Sequence, residues 1–268
     1  MKVFLELNKF NHIQFFDQEH KYVIDGNEMI SVTTFIGQYK KAFDRETQSI
    51  RIAEKRGLPV EEILAEWDLK RDISCERGSC LHAFAESYLA NKIYAYPSER
   101  IKAMFGEDPI IDQVKFLTEM FKVFHHDSSK NLVPIKSEFV VGDAELGICG
   151  MVDQIYFNKK SGKLEIWDWK TNKSIEKHSA YNRKMMGPVS HLDECELNTY
   201  SLQLSLYKYL IEKNTELQFG NSYITWFNEK NESYRVFKCL SLREEVKAMI
   251  LDYKNQNDVN LEQRVPEK

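Results

Sequence analysis

The chain is poor in the residues that build cross-linked or membrane-bound proteins. Its five cysteines, Cys75, Cys80, Cys149, Cys195 and Cys239, are odd in number, scattered and free of any CxxC pair. That excludes an obvious disulfide framework or zinc ribbon and fits reduced thiols. No apolar run reaches the ~18 residues of a membrane helix, and the opening Met1 to Phe10 carries Lys2, Glu6 and Lys9 inside its apolar pattern. Neither a signal peptide nor a transmembrane segment is expected, and the expected location is cytoplasmic, in a bacterial or phage-infected cell. Internal repeats, low-complexity segments and a GxxxxGK[ST] loop are also missing, so a helicase motor would have to come from a partner protein. An excess of positive charge is absent too, since 37 Lys and Arg stand against 41 Asp and Glu for a net charge of −4. Any contact with nucleic acid must therefore be local.

What is present suits a packed domain: 43% of the 268 residues are hydrophobic and 12% aromatic, enough for one sizeable core. The most informative stretch is Ile148 to Lys170. Two apolar β-type runs, Ile148 to Phe157 and Lys163 to Trp169, flank the polar turn Asn158-Lys159-Lys160-Ser161-Gly162, the pattern of an antiparallel hairpin. With Lys159 to Gly162 as the loop, Asn158 pairs with Lys163, Phe157 with Leu164 and Ile155 with Ile166. Asp153 then falls across from Asp168, with Lys170 on the same face. Like charges facing each other across a β-pair are unfavourable, and a divalent cation would compensate them. Two carboxylates without a thiol favour a hard ion, Mg²⁺ or Mn²⁺. Lys170 could then orient a water or take up charge on a phosphate, which describes metal-assisted phosphodiester hydrolysis. On spacing alone, a surface hairpin of solvated acids serves equally well.

In front of the hairpin, short strands are expected at His12 to Phe16, Lys21 to Ile24 and Glu28 to Ile30, with Ser31 capping a helix to about Tyr39. Arg45 to Arg56 reads as a helix stopped by Gly57, and Pro59 opens another to about Asp72. A separate amphipathic helix, Arg77 to Leu89, sets Gly78, His82 and Glu86 in one stripe, where the glycine would admit another backbone. Seen alone, His82 and Glu86 read as a solvated pair. Pro109 to His126 is a further amphipathic helix, and His125-His126 suit the negative end of its dipole. Beyond Asn131 the period changes from 3.6 to 2, and Val133 to Val141 is a strand carrying Glu138.

After Lys170 a long polar segment, Thr171 to Leu197, holds Lys173, Lys177, Arg183 and Lys184 around Met185-Met186-Gly187-Pro188. It is the candidate phosphate-tracking surface. Asn198 to Lys213 is a helix that places Gln203 and Tyr207 one turn apart, by themselves an ordinary half-buried face. A hairpin of Ser222 to Phe227 and Tyr234 to Cys239 and a helix from Leu242 to about Tyr253 complete the chain. Residues 256–268 read as a loose tail. The expectation is thus a single domain over 1–268, with a mainly helical part over 1–130 and a catalytic sheet with its helices over 131–255.

In this order these motifs, spanning roughly residues 30 to 230, resemble the RecB-like branch of the PD-(D/E)XK nuclease superfamily. Asp168-Trp169-Lys170-Thr171, the Gln203-x-x-x-Tyr207 helix and Ser31-Val32-Thr33-Thr34 are most similar to phage exonucleases and the mitochondrial genome maintenance exonuclease type. The resemblance implies an α/β restriction-endonuclease-like core, with a mixed central sheet flanked by helices and a helical N-terminal part arching over DNA. It implies Mg²⁺ or Mn²⁺ on Asp153, Asp168 and the Trp169 carbonyl, His82 as an additional ligand, Glu138 beside the metal and Lys170 serving the water. Gln203 and Tyr207 would fix the substrate strand, with Glu86 on the substrate side. The implied activity is a DNA exonuclease of replication, recombination or repair, acting on single strands or duplex ends; a structure-specific or nicking endonuclease and a silent DNA-binding subunit are the alternatives. Iron–sulfur members of the branch carry three clustered late cysteines; here Cys239 stands alone at the end, so no cluster is expected.

Overall fold

The computed structural model describes residues 2–106 and 110–262, with side chains to residue 256. Eight strands form one mixed sheet. They are β1 (Gln14–Phe16), β2 (Lys21–Ile24), β3 (Asn27–Ser31), β4 (Leu132–Asp143), β5 (Ile148–Asn158), β6 (Lys163–Lys170), β7 (Phe219–Trp226) and β8 (Arg235–Lys238). The order is β1-β2-β3-β5-β6-β7-β8, with β4 also on β5. β3 and β7 join the sheet in parallel, to β5 and β6 respectively; the other pairings are antiparallel. The sheet is therefore not confined to residues after 131, because β1 to β3 extend it through the parallel β3–β5 bridge.

The β5–β6 hairpin has the expected register, from Asn158↔Lys163 to Ile155↔Ile166 and on to Gln154↔Trp167. Its turn is fixed locally. The Asn158 side chain accepts from the Lys160 and Ser161 N–H groups, and Gly162 takes a left-handed φ of 66° that other residues resist. The β5–β6 ladder ends at Gln154↔Trp167; Asp153 and Asp168 come next in the same register without forming a ladder pair, and Asp168 pairs on its other side with Ile224 of β7.

Among the described residues eight α-helices surround the sheet: α1 (Lys2–Leu7), α2 (Val32–Gly37), α3 (Arg45–Arg56), α4 (Val60–Leu89), α5 (Ser98–Phe105), α6 (Ile111–Ser128), α7 (Glu196–Asn214) and α8 (Arg243–Glu262). Ser31 does cap α2, accepting from Thr34 N–H at 3.0 Å. Asp44 caps α3 and Gly57 ends it in the left-handed region, as helix-end chemistry dictates. The largest departure is α4, where two short helices were expected. It runs unbroken for 30 residues, with Pro59 as its N-cap. Ile73 and Cys80 pack with Ile101, Ile110 and Val114, and Glu76 pairs with Arg100 of α5; this tertiary packing overrides the weak helix formers Ser74, Gly78 and Ser79. The expected stop near Tyr253 is also wrong, since α8 continues to Glu262; the supposed tail beyond 262 and the Pro109 start of α6 lie outside the described residues. Helices α1 and α5 were not foreseen.

Two cores sandwich the sheet. Leu202, Leu206 and Leu210 of α7 pack with α2, α8 and one face of β4–β6, while Leu81, Phe121 and Phe124 of α4 and α6 cover Trp167, Trp169 and Phe227 on the other. Each such fully buried side chain contributes roughly 1.5–3 kcal/mol. The alternation within Trp167-Asp168-Trp169-Lys170 follows: the tryptophans anchor β6 against α6, which obliges Asp168 and Lys170 to face α7.

Candidate active site

β5 is the strand on which the site is built. β3 pairs with its beginning, at Ile148 and Cys149, and β6 with its end, from Gln154 onward. Between them Gly150, Met151 and Val152 pair only with β4 among the described residues. The free edge is closed by side chains. A Cβ on Gly150 would stand 2.6 Å from Tyr207 Cε1 and 3.1 Å from Val32 Cγ2, so glycine is what lets α7 and α2 approach this closely. Gly78 is less constrained, its added Cβ meeting only the Thr171 hydroxyl at 3.6 Å.

Three neighbouring strands bring acids to this edge. Ser137↔Gln154 and Phe139↔Val152 bracket Glu138 and Asp153, and Asp168 is the next residue on β6 after Trp167. Glu138 has a φ of 42°, a backbone conformation that a non-glycine residue adopts at a cost of ~1–3 kcal/mol. Its neighbours hold it there, and the carboxylate is delivered to His82. Asp153 accepts the Trp169 N–H at 2.7 Å through Oδ2, and its Oδ1 lies 3.6 Å from His82 Nδ1. His82 Nδ1 is also 3.5 Å from Glu138 Oε1, while Nε2 is 3.1 Å from the Trp169 carbonyl oxygen. A carbonyl only accepts, so Nε2 carries the proton and Nδ1 is the nitrogen turned toward the carboxylates. Ligand atoms of His82, Glu138 and Asp153 all lie within 4.8 Å of one another.

Asp168 looks elsewhere. Its Oδ1 accepts from Gln203 Nε2 at 3.4 Å, and the same amide donates to the Tyr207 hydroxyl at 3.1 Å. Lys170 Nζ is 2.6 Å from Asp168 Oδ2, so the second oxygen is ion-paired. The expectation that the two aspartates simply face each other is thus replaced by two adjoining clusters.

The electrostatics record the crowding. Burial raises Asp153 above the carboxylate range, with His82 opposing and Glu138 adding to the effect. Burial and then the Asp153 charge push Asp168 up to about 6, against the pull of Lys170. For His82, burial lowers the imidazole, but the charge of Asp153 and the hydrogen bond and charge of Glu138 outweigh it and hold it at about 9. Lys170 is likewise raised, because Asp168 and Asp153 overcome its burial. One imidazole and three carboxylates, with His82 and Glu138 half-buried and Asp153 and Asp168 buried, fit a hard divalent cation.

Of the residues singled out by sequence, His82, Glu138, Asp153, Trp169, Asp168, Lys170, Gln203 and Tyr207 converge here. Glu86 is exposed one turn along α4. The four basic residues after β6 have four different surroundings. Lys173 is exposed, Lys177 lies 5.6 Å from the centre of the Phe237 ring, Arg183 sits over Tyr181, and Lys184 is paired with Asp193 at 2.6 Å. Two neighbours escaped notice. Arg77, on α4, donates to the Thr171 carbonyl at 2.8 Å, a contact with no local sequence signature. Tyr200 lies under Lys170, its ring centroid 4.6 Å from Nζ; its spacing from Gln203 and Tyr207 on α7 was a usable signal.

Comparison with known proteins adds the family. No curated protein matches. Among solved structures, that of SSO0001 is 13% identical over 65% of this chain and 81% of its own, with a TM-score of 0.24, too low to argue from. None of the described helices is long and apolar enough to cross a membrane. Residues 51–265, which begin within α3, match the PD-(D/E)XK nuclease superfamily, whose members are hydrolases that cut DNA with divalent metals. By that extent of match, the chain belongs to the PD-(D/E)XK nuclease superfamily.

Proposed function

We propose that this chain is a metal-dependent deoxyribonuclease of the RecB-like kind, working as an exonuclease in DNA replication, recombination or repair. The observation that carries the reading is the convergence of the His82, Glu138 and Asp153 ligand atoms within 4.8 Å, beside the Asp168–Lys170 pair. His82, Asp153, Asp168 and the Trp169 carbonyl would hold Mg²⁺ or Mn²⁺, with Glu138 beside them. Bound there, the cation supplies a lowered pKa for water and neutralises charge on the phosphate.

The protein groups have separable tasks. His82 must release a ring proton to act as a ligand. Glu138 and Asp153 are the nearest acceptors for that proton. Lys170, half-buried and cationic, orients the attacking water and takes up negative charge growing on the phosphate. Gln203 fixes the direction of Asp168 and hands its second contact to Tyr207, so both α7 residues border the scissile position. The imidazole makes Mn²⁺ a better fit than Mg²⁺.

The test is purified protein with Mg²⁺ or Mn²⁺ on linear and circular DNA labelled at either end. Stepwise loss from one end of linear DNA, with circles spared, is expected. Cutting of circles at the same rate would make it an endonuclease, and no cutting under any condition would overturn the reading in favour of a silent DNA-binding subunit.

A further inference from the structure

Lys170 is a flexible side chain asked to keep one position. Four rotatable bonds separate its ammonium from the backbone of β6, and an ammonium forms no forked, pre-oriented bonds of the kind arginine makes. One anchor is Asp168, 2.6 Å from Nζ. Asp168, however, is also claimed by Gln203, and on the reading above it serves the cation as well. An ammonium anchored only there would have to share its partner.

The second anchor is an aromatic face. Lys170 Nζ lies 4.6 Å from the centroid of the Tyr200 ring, well inside the ~6 Å at which a ring quadrupole attracts a cation. The ring is itself fixed. Its hydroxyl accepts from Asn172 Nδ2 at 2.6 Å, and the Asn172 carbonyl accepts from Trp226 Nε1 and Asn228 Nδ2, both at 2.8 Å. A line of contacts thus runs from the end of β7 through Asn172 and Tyr200 to Lys170. Tyr200 also belongs to the α7 stripe of Gln203 and Tyr207, so one helix face addresses both members of the Asp168–Lys170 pair.

We propose that Tyr200 is a positioning residue: its ring face sets the place of the Lys170 ammonium beside Asp168. The inference rests on the nuclease reading for its kinetic consequence but not for its geometry. Ring contact, rather than the hydroxyl, is the element that matters to Lys170. Phenylalanine should therefore preserve the effect and leucine, of similar bulk but without a π face, should remove it.

The experiment compares wild type, Tyr200→Phe and Tyr200→Leu in two ways. The first uses metal-free protein labelled with ¹³C-lysine, in which the Lys170 ε-CH₂ resonance is assigned by its disappearance in Lys170→Arg. Protons over an aromatic face are shifted upfield. The shift should be present in wild type and Tyr200→Phe and lost in Tyr200→Leu. The second measures cleavage of end-labelled linear DNA. Tyr200→Leu should lower kcat about tenfold, a barrier change of about 1.4 kcal/mol, with little change in KM, while Tyr200→Phe stays within about twofold of wild type.

An ordinary Lys170 ε-CH₂ position in wild type overturns the proposal, and this measurement stands even if Tyr200→Leu does not fold. Equal kcat in folded Tyr200→Leu and wild type overturns it too, as does a Tyr200→Phe variant as impaired as Tyr200→Leu. If wild type cleaves no DNA while the upfield shift is present and lost in Tyr200→Leu, the nuclease reading fails and the positioning role survives.

Discussion

Buried carboxylates stand at the end and at the middle of the β4–β5 pair, and they meet opposite fates. Asp143, at the end of β4, is 5% exposed and Asp153, on β5, is 7%, so burial alone does not separate them. Asp143 receives Lys213 Nζ at 2.6 Å, Asn214 Nδ2 at 3.0 Å and the Leu146 N–H at 2.9 Å. Those partners overcome desolvation and hold it below the usual carboxylate range. Asp153 has one backbone donor, and a carboxylate on either neighbouring strand, and is raised. A buried acid whose acceptors are filled contributes to the fold. One left short of donors among other acids is costly to keep and retains capacity for a cation.

Exchanging charge for an amide breaks this contrast most sharply. Asp153→Asn and Asp168→Asn should each lower DNA cleavage by roughly 10³-fold or more, the scale seen when one member of a concerted catalytic group is lost. The thermal midpoint of the metal-free protein should hold or rise, because repulsion is relieved. Full activity in either variant, read from initial rates on end-labelled DNA, would remove these residues from the site.

Two glycines on adjacent rungs of the β4–β5 ladder, Gly150 and Gly142, provide a second comparison. A Cβ at Gly150 collides with Tyr207, whereas one at Gly142 meets Cys149 Sγ at 2.2 Å and Ile13 Cδ1 at 3.1 Å. Overpacking of this kind costs about 1–3 kcal/mol, or about 2–12 °C in Tm for a protein of this size. Both alanine variants should melt early, but at a temperature where both are folded only Gly150→Ala should lose kcat. Equal kcat in the two would show that Tyr207 is remote from the chemistry.

Acidity gives a third. Asp143→Asn should cost about 1–2 kcal/mol at neutral pH, less than a fully buried pair because Lys213 reaches solvent. The folded pKa of Asp143 is depressed, so its contribution is present above the unfolded value near 4 and is lost as pH falls through the folded one. Asp168 and His82 have the opposite sign. Their folded values, about 6 and about 9, are raised, so their contributions are complete below the unfolded values and vanish as pH rises through the folded ones. In chelator, the Tm difference between wild type and Asp143→Asn should close on acidification, whereas Asp168→Asn should gain on wild type between pH 4 and 6. Parallel curves would contradict the contrast.

The smallest effect lies on the surface. Lys173, exposed and unpaired among the described residues, should supply a phosphate contact, so Lys173→Ala should flatten the log–log salt dependence of DNA binding by about 0.7–0.9. Lys184→Ala breaks an exposed pair with Asp193 and should leave the slope nearly unchanged. Identical slopes for Lys173→Ala and wild type would route the strand elsewhere.

How much of this the sequence disclosed depended on range. The hairpin register from Asn158↔Lys163 onward was legible because period-two alternation and the Asn158–Gly162 turn are local signals. Its end was not, because no local signal marks that the ladder stops one pair short of Asp153 and Asp168. His82 by itself resembled half of a solvated pair with Glu86; only the packing of α4 across β4 and β5 turns it to Glu138 and Asp153. The single α4 was hidden for the same reason, since Ser74, Gly78 and Ser79 look like a break until α5 and α6 pack against them. Tyr200 carried a helical spacing but nothing to say that Lys170 would lie on its face.

The unbroken α4 has a mechanical meaning. Thirty residues at 1.5 Å each make a rod of about 45 Å, and His82 sits about 33 Å from its first residue. A rod without a joint has no place to absorb rotation. A tilt of only a few degrees, imposed where Val60 meets the α3 end of the chain, would displace the imidazole by more than 1 Å relative to Glu138 and Asp153. The distant N-terminal helices and the ligand geometry therefore form one lever.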